Sequence, residues 1–111
     1  MSWDRQQKLA VLKSICFIVG ADKKIMPQEM QLIQGFFNRY GLNMSAMNEQ
    51  AAMSQFDMSL IISKMSDSDK RQIVSYWKQA MCCDGNIADE EIRVLFMMAE
   101  ECEIDIADIT I

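Results

Sequence analysis

The first and last thirds of this chain carry the same arrangement of apolar and acidic residues, 62 positions apart. The pattern Asp-x-x-Ile-x-x-x-Glu occurs at residues 22–29 and again at residues 84–91, and at the same offset Ile15 aligns with Trp77. Any two amphipathic hairpins share apolar matches, but chance seldom supplies this turn pattern twice at the same place. The sequence therefore predicts a duplicated helix-turn-helix unit, in which each copy buries its apolar stripe against the other.

The first copy, about residues 7–43, has the apolar spacing of two α-helices. In the first helix, expected from about residue 2 to Val19, apolar side chains recur at intervals of three and four residues. Pro27 suits the first turn of the second helix, because its missing N–H group would have no partner there in any case. Gly41 is typical of the position just after a helix ends, so the second helix is predicted to stop before it.

The second copy, about residues 67–105, repeats this organisation. Serine and aspartate alternate over residues 66–69 and form an N-terminal capping cluster, which opens a helix with Trp77 on its apolar face. An Asp-Gly turn signal follows. The acidic residues 89–91 suit the first turn of the next helix, and a short turn or helix is expected at residues 105–111.

Residues 44–66 link the two copies, and they are typical of two short helices at about 45–53 and 57–65. This linker is rich in methionine. Most of its methionines have core spacing, whereas Met44 and Met47 are the best candidates for exposure. The 111-residue chain is therefore predicted to be a single all-α domain of six or seven helices. Its two helix-turn-helix repeats, joined by short helices, would pack about a pseudo-two-fold axis.

Composition and charge remove several classes of function. A net charge of −5, with no Lys/Arg run longer than two residues, argues against nucleic-acid binding, which needs clustered cations. The chain contains no histidine, which excludes His-dependent nucleophile systems and the commonest general base. The N-terminus is polar, unlike a signal peptide, and the apolar run at residues 15–21 is too short to span a membrane. We therefore expect a soluble, cytoplasmic protein without direct membrane insertion.

The two turn segments resemble the D-G-x-I-x-x-x-E turns of the TerB-like family. Residues 84–91 read Asp-Gly-Asn-Ile-Ala-Asp-Glu-Glu and match closely, whereas residues 22–29 read Asp-Lys-Lys-Ile-Met-Pro-Gln-Glu, with Lys23 in place of the glycine. The resemblance extends from the first helix to about Asp105. It implies an all-α fold of about seven helices, a role in stress responses such as tellurite resistance and proposed metal binding by acidic residues. It does not imply an enzymatic activity.

Four carboxylates of the turns are the candidate metal ligands: Asp22, Glu29, Asp84 and Glu91. Hard cations such as Ca²⁺ and Mg²⁺ prefer oxygen ligands of this kind, and an Asp and a Glu across a tight turn can point into the same space. Neither turn is an EF-hand, because the first half of each loop lacks oxygen ligands. If the turns converged, like charges about 4 Å apart would cost roughly 4 kcal/mol at an effective dielectric constant of about 20. A cation or protonation would then be required.

Three hypotheses of function remain open. The first is a non-enzymatic TerB-like stress-response module that binds a protein partner and a divalent cation of the Ca²⁺ or Mg²⁺ class. In the second, the chain is a pure protein-interaction or dimerisation domain, and its carboxylates only cap turns and helix N-termini. The third is an enzyme with paired carboxylates, which nothing besides the acidic residues supports.

Overall fold

The computed structural model describes residues 3–19, 27–82 and 89–105, except the side chains at positions 82, 90 and 91. In these parts of the chain every regular element is an α-helix, which confirms the predicted all-α fold. The helices are α1 (Arg5–Val19), α2 (Pro27–Tyr40), α3 (Ser45–Ala52), α4 (Gln55–Ser63), α5 (Asp67–Cys82) and α6 (Asp89–Glu101). The loops of both predicted turns and the last six residues, for which a short turn or helix is predicted, lie outside the described residues.

The bounds of the long helices agree with the 62-residue offset. When the numbers of α1 and α2 are shifted by 62, they reproduce those of α5 and α6 to within one residue at each end. The pseudo-two-fold relation between the two copies stays a prediction.

Both copies end in the same backbone turn. After α2, Gly41 adopts a left-handed φ of 67°, and the N–H group of Leu42 donates to the carbonyl oxygen of Phe37 at 2.9 Å. At the corresponding place after α6, Glu103 adopts a φ of 56°, and the N–H group of Ile104 donates to the carbonyl oxygen of Ala99 at 2.8 Å. Both turns are Schellman motifs, in which a left-handed residue lets the chain satisfy the last helical carbonyl groups.

Helix α1 is the central helix and contacts each of the other five. No residue from Leu9 to Val19 is exposed, so the helix is at least partly covered on every side from Leu9 onward. The sequence pattern predicts only one apolar stripe here. The cationic Lys13 fits this environment because its Nζ donates to the carbonyl oxygen of Gln50 at 3.1 Å and lies 5.3 Å from the ring centre of Phe17.

Trp77 joins α5 to α1 in the middle of the core, as its spacing predicts. Its side chain is fully buried, and its indole Nε1 donates to the hydroxyl oxygen of Ser14 at 2.8 Å. The Ser14 hydroxyl in turn donates to the carbonyl oxygen of Val11 at 2.6 Å. Each buried polar group therefore has a partner, which removes the cost of taking it out of water.

An aromatic cluster joins the end of α2 to α5 and to the segment before α1. Trp3 stacks on Tyr40 with ring centres 4.9 Å apart. The hydroxyl oxygens of Tyr40 and Tyr76 lie 3.0 Å apart, and the amide of Gln72 donates to the Tyr40 hydroxyl at 2.7 Å. Phe36 lies against both tyrosine rings. The cluster fixes the position of α2 along α5.

Candidate functional site

Helix α4 begins two residues earlier than its apolar pattern predicts. The side chain of Ser54 accepts the backbone N–H of Asp57 at 3.0 Å, which makes Ser54 the N-cap. The first helical residue is therefore Gln55, and Phe56 belongs to the helix.

The core covers only one side of α4. Met58 and Ile62 are fully buried, whereas Phe56 is 74% exposed and Leu60, one turn later, is 41% exposed. A large apolar side chain as exposed as Phe56 loses the free energy that burial would supply, about 1.5–3 kcal/mol. Together, Phe56 and Leu60 form an unpartnered apolar face on this helix.

This face borders a cavity of about 520 Å³ between α4 and the end of α6, here called the α4–α6 groove. Phe56, Ser59, Leu60 and Ser63 line it from α4, and Glu101 and Glu103 line it from α6 and the turn after it. The groove thus combines an apolar wall with an acidic wall. A volume of this size lies within the range of ligand sites in proteins, about 300–1,000 Å³.

Glu101 is held in place over α4. The Nε2 atom of Gln55 donates to its Oε2 at 3.0 Å, and the Ser59 hydroxyl lies 3.3 Å from the same oxygen. These two polar contacts leave the negative charge in place, and no described cation forms an ion pair with Glu101. The carboxylate is therefore a fixed, uncompensated charge beside the apolar wall.

Glu103 occupies a backbone conformation that favours glycine. Its counterpart in the first copy is Gly41, yet here a glutamate adopts the left-handed region with φ of 56°. Such a conformation costs a non-glycine residue about 1–3 kcal/mol, and residues of this kind cluster at functional sites. The Nζ of Lys70 donates to the backbone oxygen of Glu103 at 3.2 Å, not to its carboxylate. The groove thus has a second carboxylate, and it belongs to a residue with a strained backbone.

The apolar face of α4 continues beyond the groove. Leu60 also lines a neighbouring cavity of about 440 Å³, together with Met53, Asp57 and Glu49. There the charge of Glu49 is balanced, because Arg5 forms an ion pair with it, with Nε 3.1 Å from Oε1. The other carboxylate of this cavity, Asp57, has no described ion-pair partner, so unpaired negative charge borders the apolar face on both sides.

The predicted metal ligands are described only in part. Glu29 lies in the first turn of α2 and is buried at 3% exposure. It interacts with another group of the protein, as a buried carboxylate must. Glu91 lies in α6 at the equivalent position, but its side chain is outside the described residues, and so are Asp22 and Asp84. The four-carboxylate site stays a prediction.

Within the described ranges, no three His, Cys, Asp or Glu side chains lie close enough together to hold a metal ion. Across the same ranges, no helix combines the length and the apolar content that crossing a membrane requires.

Two cysteines of the described part are free thiols with raised pKa values. Burial raises the pKa of the Cys16 thiol to about 11, although the charge of Lys13 opposes this shift. Burial likewise raises the pKa of the Cys102 thiol to about 12. Because the thiolate is the reactive form, both side chains are chemically quiet at neutral pH and serve as core packing.

Alkylation by iodoacetamide at pH 8 is expected to modify Cys16 about a hundredfold more slowly than an ordinary thiol. The reason is that a pKa of about 11, instead of 9.0, leaves roughly 0.1% of the group as thiolate at this pH. Mass spectrometry of the labelled peptides measures the rate at each cysteine, with a short cysteine peptide as reference. Equal rates for Cys16 in the folded and the urea-unfolded protein would contradict this expectation.

The prediction of exposed methionines in the linker is correct for one residue and wrong for the other. Met44 is exposed at 57%, as predicted, but Met47 is half-buried against the core. Phe56 and Leu60 were not singled out. The usable signal was that α4 has apolar residues on all sides, more than one buried face requires.

These features define a small all-α domain with an apolar, acid-lined groove. Its fold is similar to that of a protein of unknown function from Porphyromonas gingivalis W83, solved as a crystal structure. The TM-score is 0.76 at 24% sequence identity, and the match covers 95% of this chain and 83% of that protein. At this identity the likeness shows the fold alone. No protein-family model and no curated protein matches the chain.

Proposed function

We propose that this chain is a non-enzymatic, TerB-like module that binds a protein partner in the α4–α6 groove, in a stress response of the tellurite-resistance type. The observation that carries the proposal is the exposure of Phe56 beside the two glutamates. The duplicated Asp-to-Glu turns support the family assignment, and with it the stress-response context. A cation in those turns is a separate part of the proposal, and it has its own test.

The charge of the groove indicates what kind of partner it fits. Glu101 and Glu103 form no ion pair with a described cation, although the Lys70 ammonium lies at the backbone oxygen of Glu103. A partner therefore gains from lysine or arginine at the same edge. Phe56 and Leu60 lie one turn apart and offer two apolar contacts in a row. An amphipathic helix with apolar residues at intervals of three or four and basic residues beside them matches both features.

A second copy of the chain fits the groove less well. In a symmetric dimer the same patch lies on both sides of the interface. The interface would then contain Glu101 and Glu103 of both copies, and repulsion between these like charges opposes such an arrangement. The pure dimerisation alternative therefore receives less support from this surface than a basic partner does.

Selection from a library of helix-forming peptides tests the proposal. Peptides that bind the protein are expected to carry spaced apolar residues and an excess of lysine and arginine. Replacing Phe56 by serine should weaken their binding by about tenfold or more, because a central aromatic anchor usually dominates such an interface. Fluorescence anisotropy with labelled peptides measures the affinities. Glu101→Gln should weaken binding and reduce its dependence on salt.

Phe96→Ser is the matched control, since Phe96 is 39% exposed on α6 but does not line the groove. Phe56→Ser removes a largely exposed phenyl ring and should change the free energy of unfolding by only about 0.5 kcal/mol. Phe96→Ser removes a ring that is mostly covered and should cost more, so circular dichroism checks that both variants are folded at the temperature of the binding assay. If Phe96→Ser weakens binding as much as Phe56→Ser does, or if the selected peptides lack basic residues, the groove is not the binding site proposed here.

A further inference from the structure

A second groove, of about 690 Å³, lies between α2 and α5 and has a different chemistry. We call it the α2–α5 groove, and it is lined by Gln28, Gln31, Gly35 and Arg39 from α2 and by Tyr76 and Gln79 from α5. None of the described residues that line it carries a carboxylate. In a chain with a net charge of −5, this surface is an exception.

The α2 wall of the groove has the length and the polar groups that suit an extended peptide. Residues 28, 31, 35 and 39 follow one another at intervals of three and four, so they share one helix face. They span about 16 Å at 1.5 Å per residue. Extended backbone of about five residues has the same length. Glutamine amides offer both donors and acceptors, as peptide backbone does.

Nothing within the protein explains why residue 35 is a glycine. It sits inside α2, where glycine is less favourable than alanine because it loses more conformational freedom on folding. A Cβ atom built on Gly35 would meet nothing within 4 Å, so packing does not require its absence. Glycine also allows another backbone to approach closely, and this use would account for its place in the wall of a groove.

Arg39 supplies the charge at one end of the groove. Its guanidinium lies 5.7 Å from the ring centre of Tyr40. No described carboxylate forms an ion pair with it. Tyr40 is itself fixed by its contact with Tyr76, so the ring beneath the guanidinium belongs to a rigid cluster. An arginine of this kind can bind a carboxylate with two parallel hydrogen bonds.

We infer that the α2–α5 groove binds the C-terminal end of an extended peptide. The terminal carboxylate pairs with Arg39, and the last residues run along α2 over Gly35 toward Gln28. A single cation at one end of an otherwise uncharged groove suits one terminal carboxylate better than a series of acidic side chains. This site is separate from the α4–α6 groove, and it does not depend on the function proposed for that groove.

A display library of peptides with free C-termini, selected against the whole protein, tests the inference. Enriched sequences are synthesised as labelled pentapeptides, each as a free acid and as a C-terminal amide. The amides are expected to bind at least about tenfold more weakly than the acids, and Arg39→Gln should weaken binding of the acids to the same degree. Gly35→Ala should also weaken binding by at least tenfold, although it should raise the Tm by a few degrees.

Two control variants change the charge and the helix propensity at exposed positions outside the groove. Arg93→Gln removes an exposed positive charge from α6, and Gln34→Ala adds alanine to the exposed side of α2; both should leave the affinity within about twofold. Phe56→Ser should also leave it unchanged. The inference is overturned if no peptide is enriched, if the amides bind as well as the acids, or if Gly35→Ala binds like the parent protein.

Discussion

Replacing Trp77 by alanine is expected to lower the free energy of unfolding by about 3–5 kcal/mol, the usual cost of removing a large aromatic side chain from a core. Trp77 is fully buried against α1, the helix that every other helix contacts. Since small domains are stable by only about 5–15 kcal/mol, this loss would take much of the total. Urea unfolding followed by circular dichroism measures it.

The hydrogen bond of Trp77 can be tested separately from its bulk. Ser14→Ala leaves the buried indole N–H without its acceptor and should cost about 1–3 kcal/mol. In a Trp77→Phe background, which has no indole N–H, the same Ser14→Ala change should cost clearly less. Equal costs in both backgrounds would mean that the bond contributes nothing beyond packing.

The second large effect is a rise in thermal stability when a divalent cation binds at the predicted site. A divalent cation held by Asp22, Glu29, Asp84 and Glu91 is expected to stabilise the fold by about 2.7 kcal/mol when present at 100 times its Kd. For a domain of this size, that is a rise in Tm on the order of 10 °C. Thermal unfolding of chelator-treated protein, titrated with Ca²⁺, Mg²⁺, Mn²⁺ and Zn²⁺, measures it.

Two double variants distinguish a specific cation site from the general screening of the chain's negative charge by added ions. The double variant Asp84→Ala, Glu91→Ala should lose the rise in Tm, while Asp67→Ala, Glu100→Ala, which removes the same kinds of charge elsewhere, should keep it. No rise in the parent protein at millimolar ion would leave the four carboxylates as caps of turns and helices. The pure protein-interaction hypothesis would then be favoured over the metal-binding one.

Local signals were sufficient to predict most of the fold. The capping cluster at 66–69 correctly predicts the start of α5, where the Ser66 hydroxyl accepts the N–H of Asp69 at 3.1 Å. Gly41 correctly predicts the end of α2. Helix α1 begins about three residues later than the apolar pattern predicts, because reciprocal hydrogen bonds between Asp4 and Gln7 cap its N-terminus.

The candidate sites were harder to predict, because they depend on which faces the tertiary structure covers. The apolar residues of α4 give no sign in the sequence that Met58 is buried while Phe56 is exposed. Likewise, the sequence alone shows only that Gly35 lowers the stability of its helix, because its position in a groove depends on the tertiary structure. Glu29 was singled out from the repeat, and its burial is compatible with both a capping role and a cation ligand.

The central position of α1 has a consequence for how the protein is made. On the ribosome α1 emerges before α4 and α5, the helices with which it makes most of its contacts. At about 5–20 residues per second, several seconds pass before α5 follows. During that time the largely apolar segment from Leu9 to Val19 has little to pack against. Nascent chains halted before α5 should therefore be good clients of chaperones that hold exposed apolar segments, and full-length chains should be released.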